Sequence, residues 1–108
     1  MRKRAERGPV PRDETIRRQI MDRLKDGEFS ARQLSGDLGV QEKEIYDHLE
    51  HIRRTMHRGD RMLVVIPPEC RKCGFIFLKM GRLRRPGKCP RCKEESVHEP
   101  LFTVKQRE

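Results

Sequence analysis

Three apolar stripes at helical spacing, a short Gly39-Val40 turn between the last two, and two Cys-x2-Cys pairs fifteen residues apart predict an α+β chain. The architecture these features outline is a winged helix-turn-helix domain of three helices followed by a small four-cysteine zinc ribbon, with the wing reduced or replaced by the ribbon. The division expected along the chain is a flexible basic arm at 1–12, the helical domain at 13–67 and the ribbon at 68–108.

The first helix is expected over 14–26, where Ile16, Ile20 and Leu24 recur at i, i+4, i+8. Asp13 is its candidate N-cap and Gly27 its stop. The second has a sharper start: Ser30 followed by Gln33 is a capping box, and Phe29 before the cap with Leu34 after it fits a hydrophobic staple. Gly39 ends it. The third begins after Gln41, a poor cap, and carries Ile45, Leu49, Ile52 and Met56 inward before Gly59-Asp60 breaks it. The β-branched run "RMLVVIPP" then reads as a strand, and a last ribbon strand is expected within 97–105. Only ten residues, 60–69, separate Gly59 from the first cysteine, too few for two wing strands and their turn.

A 108-residue chain with 33% hydrophobic and 40% charged residues and no Trp builds a thin core, so an additional staple is expected. The cysteines supply one. Two residues between each pair let a tight knuckle aim both sulfurs at one ion, and two knuckles complete a closed tetrahedral Zn2+ site at Cys70, Cys73, Cys89 and Cys92. Two disulfides, a redox pair and iron in the same four thiolates are the alternatives. Between the pairs, Phe75 and Phe77 alternate with Ile76 and Leu78 as a strand would, and the phenylalanines are expected in the ribbon core.

No apolar run approaches the roughly 18 residues of a membrane span, and the N-terminal stretch lacks the apolar region of a secretory signal. A cytoplasmic protein without membrane attachment is expected. The formal charge is +9, distributed unevenly. Residues 1–12 carry +4 and residues 70–92 carry +8, whereas residues 13–60 carry −2. A polyanionic partner is implied, met mainly by the arm and the ribbon.

The whole pattern, carried by "FSARQLSGDLGVQEKEIYDHLEHI", "CRKCGFIF" and "RPGKCPRCKEE", resembles a family of small archaeal predicted transcriptional regulators in which a helix-turn-helix is fused to a zinc ribbon. It is more distantly similar to archaeal transcription factor E. The family resemblance implies a DNA-binding regulator with one structural zinc.

On that reading the third helix is the recognition helix, with Lys43, Tyr46, Asp47, Glu50, Arg53, Arg54 and Arg58 toward the groove. Its charges pair at i, i+4 as Lys43 with Asp47 and Glu50 with Arg54. An acid can accept from cytosine, but several acids near phosphates oppose binding. Phosphate contacts are therefore expected from Arg2, Lys3, Arg4 and Arg7 on the arm, from Arg53, Arg54 and Arg58 late in the third helix, and from Arg82, Arg84, Arg85 and Lys88 on the ribbon loop. Double-stranded DNA is the expected partner. The alternative is a protein-interaction module docking on RNA polymerase or another transcription factor. Homodimerisation is open, because no long heptad is present. His48, His51 and His57 are expected on the helix surface. No enzyme is expected: four thiolates leave no open metal position, and no nucleophile or phosphate loop remains.

Overall fold

A computed structural model of the chain describes residues 12–56, 59–78, 83 and 86–107. Three helices, α1 (Arg12–Asp26), α2 (Ala31–Leu38) and α3 (Glu42–Thr55), precede two strands, β1 (Arg61–Ile66) and β2 (Leu101–Gln106). The strands pair antiparallel from Arg61↔Gln106 to Ile66↔Leu101. The four-cysteine module occupies the chain between them. No described helix is long and apolar enough to cross a membrane.

Local chemistry sets each helix. In α1, Asp13 and Glu14 lie within the first turn, where carboxylates meet the positive end of the helix dipole. Asp13 is thus one residue inside the helix and is not its N-cap, because Arg12 already has helical backbone. The capping box of α2 is complete: Ser30 Oγ accepts from Gln33 N–H at 3.1 Å, and Gln33 Oε1 accepts from Ser30 N–H at 2.8 Å. Gly39 closes the helix in the left-handed region at φ 67°, donating to Ser35 O at 3.0 Å. Gln41 offers α3 no side-chain cap.

The core unites the helices with both strands. Ile16, Ile20 and Leu24 of α1, Leu34 of α2 and Ile45, Leu49 and Ile52 of α3 bury against Leu63, Phe102 and Val104. Phe102 is fully buried and exchanges two backbone hydrogen bonds with Phe29, so the segment before α2 adds a one-residue third strand on the far edge of β2. Thr103 Oγ1 donates to Leu24 O at 2.9 Å, which ties β2 to α1. Arg107 closes the α3–β1 turn, its backbone N–H reaching Asp60 O and its guanidinium Gly59 O and Met56 O.

The strand expected within 97–105 is therefore present as Leu101–Gln106, but its partner is β1 and not a ribbon strand. The chain leaves the helical core at Ile66, builds the cysteine module and returns to the same core. Leu83, between the two cysteine pairs, is also buried in the helical core, at 1% exposure.

Candidate functional site

The two knuckles share one backbone pattern. Cys70 N–H donates to Phe75 O and Gly74 N–H to Cys70 O; Cys89 N–H donates to Glu94 O and Lys93 N–H to Cys89 O. The residue after each second cysteine is left-handed, Gly74 at φ 79° and Lys93 at φ 69°. Glycine adopts that region freely, whereas lysine there is strained. Phe75, Phe77 and Val97 pack around the sulfurs, and the two phenylalanine rings meet edge to face at 5.0 Å.

All four Sγ atoms lie within 4.8 Å of one another. Cys70 to Cys92 and Cys73 to Cys89 are each 3.6 Å. A tetrahedron with Zn–S bonds of about 2.3 Å has edges of about 3.8 Å, so the residues fit one zinc ion. The separations are far beyond an S–S bond of about 2.05 Å, and the cysteines are free thiols, not disulfides. The thiols are tuned unequally. The backbone N–H of Cys73 is the largest influence holding the Cys70 thiol down, to about 6, against the opposing effect of burial. The N–H of Glu94 favours the Cys92 thiolate, but burial and the other three sulfurs prevail and push it up to about 12. The four thiols titrate as one interacting group, and a dication binding among them displaces their protons.

The outer face of α3 presents Lys43, Asp47 and Arg54, all exposed. Tyr46 does not belong to this face. It is 6% exposed and buried in the helical core, a correction to its expected place in the groove. His48 is also buried, at 3%. Packing against α1 on one side and against α2 and β1 on the other widens the buried arc of α3 beyond a single seam. Glu50 turns away from the outer face: Arg53 holds Oε1 at 2.6 Å, and Leu83 N–H donates to Oε2 at 3.3 Å. The expected Glu50–Arg54 pair is replaced by Glu50–Arg53, because Arg53 lies on the ribbon side. Among the described residues Lys43 and Asp47 form no ion pair. Lys88 is exposed beside Cys89. Arg2, Lys3, Arg4, Arg7, Arg58, Arg82, Arg84, Arg85 and His57 lie outside the described residues.

Glu44, in the first turn of α3 with Glu42, is engaged by α1. Both guanidinium NH2 groups of Arg12 donate to it, and His48 Nε2 lies 3.0 Å from Oε2. Arg17 Nε donates to His48 Nδ1 at 3.1 Å, which assigns the ring proton to Nε2 and makes that nitrogen the donor to Glu44. Sequence reasoning missed this relay because its arginines come from α1, about thirty residues away. The hydrogen bond from Arg12, then that from His48, holds the Glu44 carboxyl below its usual 4.5. A depressed carboxylate stabilises the fold above its unfolded pKa and loses that contribution as pH falls through the folded value. Glu44→Gln is therefore expected to lower neutral-pH stability and flatten the acid side of a stability-against-pH curve, with parent and variant converging at low pH. Parallel acid limbs in parent and variant would contradict the coupling.

Comparison with known proteins comes in two segments and one whole structure. Residues 15–64 match the family model described as PF0610-like, N-terminal. Residues 67–107 match the PF0610 rubredoxin-like zinc beta-ribbon domain. The chain is similar to protein PF0610 from Pyrococcus furiosus, solved by solution NMR, at 30% identity, covering 95% of this chain and 100% of that one with a TM-score of 0.74. No curated protein matches the chain.

Proposed function

We propose that this chain, which belongs to the PF0610-like family, is a DNA-binding transcriptional regulator of winged helix-turn-helix type with one structural zinc, working in the cytoplasm and not as an enzyme. The observation that carries the reading is the disposition of charge on α3. Its acids were the obstacle to a recognition helix, and two of them are engaged elsewhere: Glu44 by Arg12 and His48, Glu50 by Arg53 and the Leu83 amide. What α3 offers outward is Lys43, Arg54 and the acid Asp47, with Glu42 exposed at its first residue. Lys43 and Arg54 suit guanine or phosphate, and Asp47 suits a cytosine amine. On this reading the antiparallel pair β1–β2 is the wing, and the zinc ribbon stands at its tip.

The test is a selection of duplex DNA by the zinc-loaded chain at near-physiological salt. An enriched motif that shifts when Asp47→Ala or Lys43→Ala is substituted is the expected result. Recovery of unselected sequence at all rounds would overturn the reading.

A second reading has its own support. Leu78 is 79% exposed and Ile76 47%, and Leu78 lines an open apolar cleft of about 270 Å³ with Val65, Pro67, Phe77 and Leu83. Exposed apolar surface of this kind suits a protein partner such as the polymerase or another factor. Leu78→Ser abolishing co-purification with such a complex, with DNA affinity unaltered, would favour it.

A further inference from the structure

We infer that the metal end of the ribbon is a binding surface for the phosphate backbone of double-stranded DNA, formed by Arg71, Lys72, Lys88, Arg91 and Lys93. The inference rests on the DNA-binding reading and names the surface that supplies its sequence-independent affinity.

Each of these five cations is the immediate chain neighbour of a cysteine ligand. Arg71 follows Cys70, Lys72 precedes Cys73, Lys88 precedes Cys89, Arg91 precedes Cys92 and Lys93 follows it. Consecutive Cα atoms are about 3.8 Å apart, and the four sulfurs lie within 4.8 Å of one another. The fold therefore gathers five cations around one small centre that residues scattered from 71 to 93 would not otherwise share. All five are exposed.

Their partners, or lack of them, separate this group from several cations of the helical domain, although Arg32, Lys43 and Arg54 are likewise without an ion pair among the described residues. Arg12, Arg17, Arg18, Arg23 and Arg53 are each held by a protein acceptor or carboxylate. At the metal end Lys72 reaches Glu94 at 3.9 Å, a loose pair. The side chains of Arg71, Lys88, Arg91 and Lys93 form no ion pair among the described residues. Glu69 and Glu95 stand nearby, but neither is paired with these cations.

Lys93 adds an independent observation. It holds φ 69° at the position where the matching knuckle has Gly74. A lysine retained in a conformation suited to glycine costs stability, and strain of this kind marks sites kept for another purpose. A cation at that position serves phosphate contact. The competing role is counter-charge: four thiolates around Zn2+ carry a formal −2, which neighbouring cations offset.

The two roles separate in experiment. The full zinc-loaded chain is titrated with a labelled random-sequence DNA duplex over a range of salt concentrations. Each phosphate contact contributes about 0.9 to the slope of log affinity against log salt. The variant Arg71→Gln, Lys72→Gln, Arg91→Gln, Lys93→Gly is expected to lose about 0.9 of slope per charge removed, on all sequences alike, while retaining one zinc per chain. Lys93→Gly alone is expected to lose about 0.9 of slope while its melting temperature holds or rises, since the substitution relieves the backbone; it carries the test should the fourfold variant fail to load metal. An unchanged slope with weakened zinc retention overturns the inference in favour of counter-charge. A slope change with single-stranded RNA and none with the duplex overturns the assignment to duplex DNA. A parent chain without salt-dependent DNA affinity removes the regulator reading itself, a result distinguishable from an unchanged slope in the variants.

Discussion

Removal of the metal is expected to unfold residues 67–100 outright while leaving the helical core folded but weakened by several kcal/mol. The ribbon has little else to hold it. Its apolar cluster is Val97 with partly buried Phe75 and Phe77 around the sulfurs, and among the described residues its ladder contacts are the single bridges Glu69↔Ile76 and Cys70↔Val97. Metal binding in such small sites contributes about 10–16 kcal/mol, far more than that cluster. The helical core depends on the metal in two smaller ways. Residues 67–100, 34 in all, form the loop that β1–β2 pairing must close. With the sulfurs held at 3.6 Å, the free chain shrinks to three residues before Cys70 and eight after Cys92. Logarithmic loop entropy makes that difference worth only about 1 kcal/mol. Releasing Leu83 from the core costs more, on the order of 2–5 kcal/mol by analogy with truncating a buried leucine. Amide exchange before and after chelation measures both at once. Fast exchange at Cys70, Cys89 and Val97 with reduced but persistent protection at Ile20 and Leu49 is expected. Equal protection at all sites after chelation would sink the argument, as would complete loss in α1 and α3.

What was legible in the sequence was local. The Ser30–Gln33 box is read from four consecutive residues because its hydrogen bonds form within one turn. The metal site is read from spacing because each knuckle is a self-contained turn. What was not legible depends on distant segments. A helical wheel assigns one inward seam, but α3 is flanked on both sides, so Tyr46, expected toward the groove, and His48, expected on the surface, are both buried. Glu50 looks like a groove acid until the ribbon supplies the Leu83 amide. Leu83 itself stands among arginines and glycines and gives no periodic signal. The partner of β2 is the same kind of problem. A strand is read within 97–105, but nothing local says that it pairs back across the whole metal module to β1. Within the ribbon, by contrast, Phe75 and Phe77 half-buried with Ile76 and Leu78 exposed follow the alternation of the sequence, because strand alternation is again local.

Phe102→Ala is expected to destabilise the three helices, although the residue lies beyond the ribbon and ten positions past the last cysteine. Its side chain is fully buried among residues of the helical domain, and its backbone is held on one side by Phe29 and on the other by register with Val65. Alanine keeps the backbone hydrogen bonds and removes the ring. The cost of a buried Phe→Ala is about 3–5 kcal/mol, lost transfer energy plus the cavity that close-packed neighbours cannot fill. Against a total stability of about 5–15 kcal/mol that is a large fraction, and for a domain of this size it lowers the melting temperature by on the order of 10–20 °C. The informative comparison is with Phe77→Ala. Phe77 is half-buried against the sulfurs and outside the helical core, so its loss should loosen metal retention and leave the helical melting temperature nearly unmoved. Far-ultraviolet circular dichroism reports the helices, and metal release to a chromogenic chelator reports the ribbon. Phe102→Ala melting the helices early while metal release stays slow at low temperature, with Phe77→Ala giving the reverse, means the last strand belongs energetically to the helices. If both variants move both readouts equally, ribbon and helices unfold as a single unit, and the separation between residues 67–100 and the rest is wrong.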